Sequence, residues 1–236
     1  MAKKFNGYVK DNHKSNTGTF YTPQLWVNDA HKTLNHYLGD DWKDEYTVWD
    51  CSAGQGQLTR DHEFKNLFLS TLEQDDLKEL KKQKAISFNY NFTDYIDSDS
   101  DDIFDAKKDE PIPNKLKKSL KKDKMLFLIN PPYVLVKDGT KSTVHKAMKQ
   151  DKLGFPSGQL YAQFLYKIAK YQEINKDITV ACFCPPLYMT GSSFNTFRTF
   201  WYEHFYYKYG FMFCASEFGL SKLWGVSFIL WMPKCY

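Results

Sequence analysis

Short apolar runs alternate with segments of helical periodicity along most of the chain, and this alternation limits the fold more than any other feature. Runs at Tyr46–Asp50, Leu67–Leu72, Ile86–Asn91, Met125–Ile129, Ile178–Cys184, Phe211–Ala215 and Val226–Met232 read as strands. Several are continuously apolar, the pattern of a strand covered on both faces. Helices are expected at Thr22–Leu38, shortly after Gly56, and at Asp75–Lys84, Lys115–Lys122, Gln159–Asn175 and Ser193–Tyr206. This order implies an α/β fold with a mostly parallel seven-stranded sheet and helices on both faces. No long helix separates the last two strands, so they are expected to pair as an antiparallel edge hairpin.

The 236 residues are enough for one sizeable domain and too few for a second. The longest apolar runs fall far short of the roughly 20 residues that cross a bilayer, and no signal peptide precedes the first helix. Neither a membrane nor secretion is therefore expected. The five cysteines are an odd number and mostly sit in apolar runs, which fits a reducing cytoplasm better than a disulfide framework. Cys182 and Cys184 lack a second ligand pair, so no metal is expected. Net charge is +4, almost all of it from lysine; the only arginines are Arg60 and Arg198. Base-edge readout leans on arginine forks, so the chain is poorly equipped to read a sequence unaided.

The sharpest chemical signal is Asn130-Pro131-Pro132-Tyr133, which ends the apolar run Met125–Ile129. Open α/β sheets bind ligands at the carboxyl ends of their strands. There the Asn130 amide oxygen and the Pro131 carbonyl can accept both hydrogens of a planar amine, and Tyr133 offers a face for stacking. A second signal is Asp50-Cys51-Ser52-Ala53-Gly54-Gln55-Gly56, a strand end running into a glycine turn. Gly54 and Gly56 permit close backbone approach to a ligand, and Asp50 can hold an ammonium. Thr59 stands where a dinucleotide fingerprint would have its third glycine. The strand Leu67–Leu72 is followed by Glu73, placed to accept ribose hydroxyls, with Asp75 as the alternative acid. In Phe88–Asp94, at the end of the third strand, one polar side chain could meet an adenine amine and Phe92 could pack on its ring.

In this order the motifs resemble the DNA adenine-N6 methyltransferases whose cofactor motifs precede the catalytic one. Thr22-Pro23 matches the Thr-Pro pair that helps hold the cofactor in that family. Leu160–Tyr166 resembles the helix behind the catalytic motif. The stretch from Phe218 to Trp224 resembles the region supplying a second aromatic wall for the base, with either residue able to fill the role. The resemblance implies a Rossmann-like class I methyltransferase fold, an N-terminal helical segment at 1–44 and a catalytic domain at 45–236, together one structural unit. It implies S-adenosylmethionine as cofactor, and double-stranded DNA with a flipped adenine as partner. The enzyme would serve restriction–modification or phage defence. Asn130 through Tyr133 would be catalytic, with Asn130 also on the cofactor side.

Two departures stand out. The family usually has Asp where Asn91 stands, so Asp94 is a second candidate for the adenine contact. The family also normally continues into a target-recognition domain, and the expectation is that this domain is missing or supplied by a separate chain. A glutamine-N5 or RNA methyltransferase uses the same tetrapeptide, and a non-catalytic DNA-binding subunit is a further alternative. Val134–Gly158, with five lysines including Lys137 and Lys141, is expected to be a mobile loop that closes on DNA phosphates.

Overall fold

Seven strands form one sheet in the order β3-β2-β1-β4-β5-β7-β6. The computed structural model describes residues 22–94, 112–136, 142–218 and 224–234. The strands are β1 (Thr47–Asp50), β2 (Asn66–Thr71), β3 (Ile86–Asn89), β4 (Met125–Ile129), β5 (Ile178–Cys184), β6 (Phe205–Cys214) and β7 (Gly225–Pro233). The first five are parallel, while β7 runs antiparallel to both β5 and β6. The helices are α1 (Gln24–Leu38), α2 (Trp42–Glu45), α3 (Gln74–Leu80), α4 (Asn114–Lys122), α5 (Thr143–Gln150), α6 (Leu160–Ile174), α7 (Leu187–Thr190) and α8 (Asn195–His204).

Continuous apolar strands arise because both faces of the sheet are covered. Trp49, Phe127, Ile129, Cys182 and Cys184 point into a core shared with α4, α5, α6 and α8. Their strand neighbours Val48, Leu126, Leu128, Ala181 and Phe183 point into the opposite core, under α1 and α3. Burying both faces fixes strand register, because a one-residue slip would exchange the two cores. The chain reverses its winding between β1 and β4, so a crevice opens there at the carboxyl ends.

Several sequence expectations need correction. No helix follows Gly56: Gly54 and Gly56 take φ of 51° and 78°, and turns run on through Asp61. The last helix stops at His204, not Tyr206, and β6 begins at Phe205 rather than Phe211. Pairing across β7, from Phe205 opposite Pro233 onward, overrides the helical spacing there. The third strand ends at Asn89, two residues early. The segment 134–158 is not a structureless loop. It carries α5, capped where the Ser142 hydroxyl accepts from His145 N–H, and a 3₁₀ turn at Phe155–Gly158. Val144, Ala147 and Met148 give α5 a buried face, so that part of the segment packs down. Among the described residues no helix is long and apolar enough to cross a membrane.

Candidate functional site

A cavity of about 180 Å³ opens over the carboxyl ends of β1 to β4. Each strand contributes the residues that follow it. Cys51, Ser52 and Gly54 come after β1, Leu72 and Glu73 after β2, Tyr90 to Thr93 after β3, and Asn130 and Pro132 after β4. Leu160 and Phe164, one turn apart on α6, close the far wall. Phe164 stacks on Phe92 with ring centroids 4.9 Å apart. The lining therefore combines a glycine turn, two acids (Glu73 and Asp76) and an aromatic wall.

Of the predicted cofactor residues, Cys51, Gly54, Glu73, Asn91, Phe92 and Asn130 meet at this cavity. Glu73 stands just before α3 yet makes no side-chain cap bond, so capping does not explain it. Asp75, the alternative acid, is exposed, pairs with Lys78 at 2.7 Å and does not line the cavity. Asp76 does, and only the first turn of α3 places it there. Asn91 Oδ1 accepts from the Thr93 N–H and hydroxyl, and its amide donates to Asp94. Asn91 lines the cavity and Asp94 does not.

Four predicted cofactor residues, Gly56, Asp50, Thr22 and Pro23, lie outside the lining. Gly56 packs against the other side: a Cβ there would sit 2.0 Å from Gln83 Nε2. Thr59, in place of a third glycine, is buried and donates to Gln83 Oε1 at 3.0 Å. Asp50 is buried at the end of β1, where its carboxylate accepts from the Ser52 N–H at 3.0 Å. Burial pushes its carboxyl up to about 7. Thr22 and Pro23 precede α1, and Thr22 reaches the site through Asn130.

Asn130 sits between two halves of the site. Its Nδ2 donates to Thr22 Oγ1 at 2.9 Å, and its Oδ1 accepts from the Tyr133 hydroxyl. Tyr133 packs against both apolar cores, and burial pushes its phenol well above the usual range. The Tyr133 ring, which is not part of the cavity lining, meets Trp224 edge to face, with centroids 5.8 Å apart. Trp224 is held where its carbonyl accepts from Ala215 N–H at the mouth of the β6–β7 hairpin. Asn130 thus links the cavity, which it lines, to the aromatic pair, through the Tyr133 hydroxyl. The sequence left the Asn130 oxygen open for a substrate amine; in the structure the Tyr133 hydroxyl occupies it. Lys137, Lys141 and the Phe218 side chain lie outside the described residues.

Among the described residues no group of three or more His, Cys, Asp or Glu is arranged to hold a metal ion. No protein-family model matches the chain, and no curated protein matches it. Solved structures do. One is a protein of Listeria monocytogenes assigned as a class I S-adenosylmethionine-dependent methyltransferase, with TM-score 0.56 and 12% identity over 90% of this chain. This is the class I methyltransferase fold. This chain spans 61% of the length of the Listeria protein. Magnesium protoporphyrin IX methyltransferase from Synechocystis PCC 6803 is similar at TM-score 0.51 and 9% identity, covering 97% of this chain and 86% of that one. The 23S rRNA methyltransferase ErmE is similar at TM-score 0.51 and 11% identity, covering 92% and 70%. At these identities the likeness is one of fold.

Proposed function

We propose that this chain is an S-adenosylmethionine-dependent methyltransferase acting on the N6 amine of adenine in DNA. The observation that carries the reading is Asn130, which lines the cavity and accepts from the hydroxyl of Tyr133, whose ring meets Trp224. The cavity suits the cofactor: an acid, Glu73, for hydroxyls, the Tyr90–Phe92 wall for a base, and a glycine turn for close backbone approach. When bound there, S-adenosylmethionine supplies an electrophilic methyl group.

The chain's own residues do the rest. A flipped adenine lies against Tyr133 and Trp224, at a cost of a few kcal/mol of unstacking. Its amine displaces the Tyr133 hydroxyl from Asn130 Oδ1 and takes a second bond to the Pro131 carbonyl. Holding both amine hydrogens turns the nitrogen lone pair out of the ring plane, so positioning and polarisation are the main contributions. The Asn130–Tyr133 tetrapeptide itself holds no Asp, Glu or His to act as a general base, and the proton leaves to water.

Incubating the protein with methyl-labelled S-adenosylmethionine and adenine-containing DNA, RNA or a glutamine-bearing peptide tests the reading. Label on DNA as N6-methyladenine is expected. Label on RNA or peptide alone would reassign the substrate, and no cofactor binding in a titration would remove the enzymatic reading altogether.

A further inference from the structure

Lys167 is fully buried on α6, directly behind the cavity wall. Leu160, Phe164, Lys167 and Tyr171 share one face of that helix, and the first two line the cavity. Lys167 Nζ lies 2.6 Å from the Tyr90 hydroxyl. It also lies over three aromatic rings, 5.0 Å from the centroid of Tyr90, 4.9 Å from Phe92 and 5.6 Å from Tyr171. Tyr90 and Phe92 are two of the cavity-lining residues, and Cys51, a third, lies near enough that the lysine charge acts on its thiol.

An amine in such a place is costly, because burial strips it of water. A leucine or methionine would fill the space without that cost. What the amine adds is direction. A hydrogen bond at the tip of Tyr90 and an attraction to the face of Phe92 hold both rings where they meet the cavity. The lysine stem spans the gap between α6 and the end of β3, which no backbone hydrogen bond crosses among the described residues.

We propose that Lys167 is a positioning residue that fixes the Tyr90–Phe92 wall of the cavity through the Tyr90 hydroxyl. The inference rests on the cavity being the cofactor site only for its effect on binding; the rigidity of the wall stands without it.

The test combines Lys167→Met, Tyr90→Phe and the double variant with two readouts. The first is the alkylation rate of Cys51 in the ligand-free protein, resolved by peptide mass spectrometry from the rates of Cys182 and Cys184. All three thiols are buried in the same apolar core. A loosened wall exposes Cys51 alone, so its rate should rise at least about fivefold in each single variant while Cys182 and Cys184 keep theirs. The second readout is affinity for S-adenosylhomocysteine by calorimetry. Each single variant should bind about five- to tenfold more weakly, and the double variant no more weakly than either. Unchanged Cys51 reactivity would overturn the proposal. So would equal acceleration of all three thiols, which marks general loosening, or additive losses in the double variant. If Lys167→Met does not fold, Tyr90→Phe, which only removes one hydroxyl, decides alone. A wild-type protein that binds no S-adenosylhomocysteine would defeat the proposed function, while the alkylation contrast would still judge Lys167.

Discussion

The Asn130 amide donates to Thr22 Oγ1 at 2.9 Å, across 108 positions of sequence. That bond ties the residue ahead of α1 to the residue after β4. With Tyr133 on its oxygen, the amide is held at both ends and in one orientation rather than its flipped alternative. Thr22→Val keeps the shape and removes the acceptor. Turnover is expected to fall about tenfold, the equivalent of one net hydrogen bond of roughly 1.4 kcal/mol. Thr22→Ser should restore most of it. Steady-state rates of the two variants check this, and a valine variant as fast as wild type would show that Thr22 does not orient Asn130.

Asn130 and Tyr133 should separate cleanly. Asn130→Ala removes the acceptor for the substrate amine, so transfer should be abolished while cofactor affinity stays nearly intact. Tyr133→Phe keeps the ring against Trp224 and frees the Asn130 oxygen. Its rate is therefore expected to equal or exceed that of wild type. A Tyr133→Phe rate as low as that of Asn130→Ala would mean that the hydroxyl itself acts in the reaction.

The two acids near β2 differ in surroundings. Glu73 faces the cavity, whereas Asp75 pairs with Lys78 on the outer surface. Glu73→Ala should weaken cofactor binding by roughly 1–3 kcal/mol, the usual cost of unpaired hydroxyls. Asp75→Ala should leave affinity unchanged, since an exposed ion pair contributes little. Calorimetric titration of both variants decides between them, and the reverse order would exchange their roles.

Lys146, Lys149 and Lys152 are exposed on α5 and just beyond it, and α5 starts against the Thr93 carbonyl at the cavity rim. Replacing all three with Gln should flatten the salt dependence of DNA binding by about 0.9 in log–log slope for each phosphate these lysines neutralise. Preference among unrelated duplexes should not change. An unaltered slope across a salt series would place the phosphate-binding lysines elsewhere.

The strands β1, β2, β4 and β5 were readable because burial on both faces leaves a continuous apolar run, and the two prolines after Asn130 mark where β4 must stop. The start of β6 was not readable. Phe197, Trp201 and His204 are buried along α8 at helical spacing, and Phe205 extends that pattern until pairing with β7 takes the backbone away. Helix α5 was hidden because lysines and glycines dominate its segment, although Val144, Ala147 and Met148 follow the 3.6 period. Asp76, Phe164 and Lys167 reach the site only through the winding of the sheet. A lysine among apolar helix positions gives no local sign that aromatic rings will enclose it.

Asp50 and His31 set opposing pH dependences on stability. His31 is buried, and its Nε2 lies 2.8 Å from the Leu58 carbonyl in the glycine turn. Its ring stacks on His62 with centroids 3.6 Å apart, and its Nδ1 meets no partner among the described residues. Burial lowers its pKa from 6.5 to about 3, with the nearby His62 and Lys43 charges adding to the fall. Between those values the unfolded chain binds a proton that the fold refuses. Stability from this group is thus complete above pH 6.5 and drops as pH falls, by about 1.4 kcal/mol per unit. Asp50 works the other way, because burial raises it from 3.8 to about 7. From pH 3.8 to 7 the fold keeps a proton that the unfolded chain releases, so stability from this group drops as pH rises, at the same slope. The two contributions cancel between about pH 4 and 6.5. Asp50→Asn should uncover the histidine, and its stability relative to wild type should climb by about 1.4 kcal/mol per unit as pH rises. His31→Gln should show the opposite drift. Urea unfolding at pH 4.5, 5.5 and 6.5 measures both, and variants that run parallel to wild type across that range would show that neither group titrates as its burial requires.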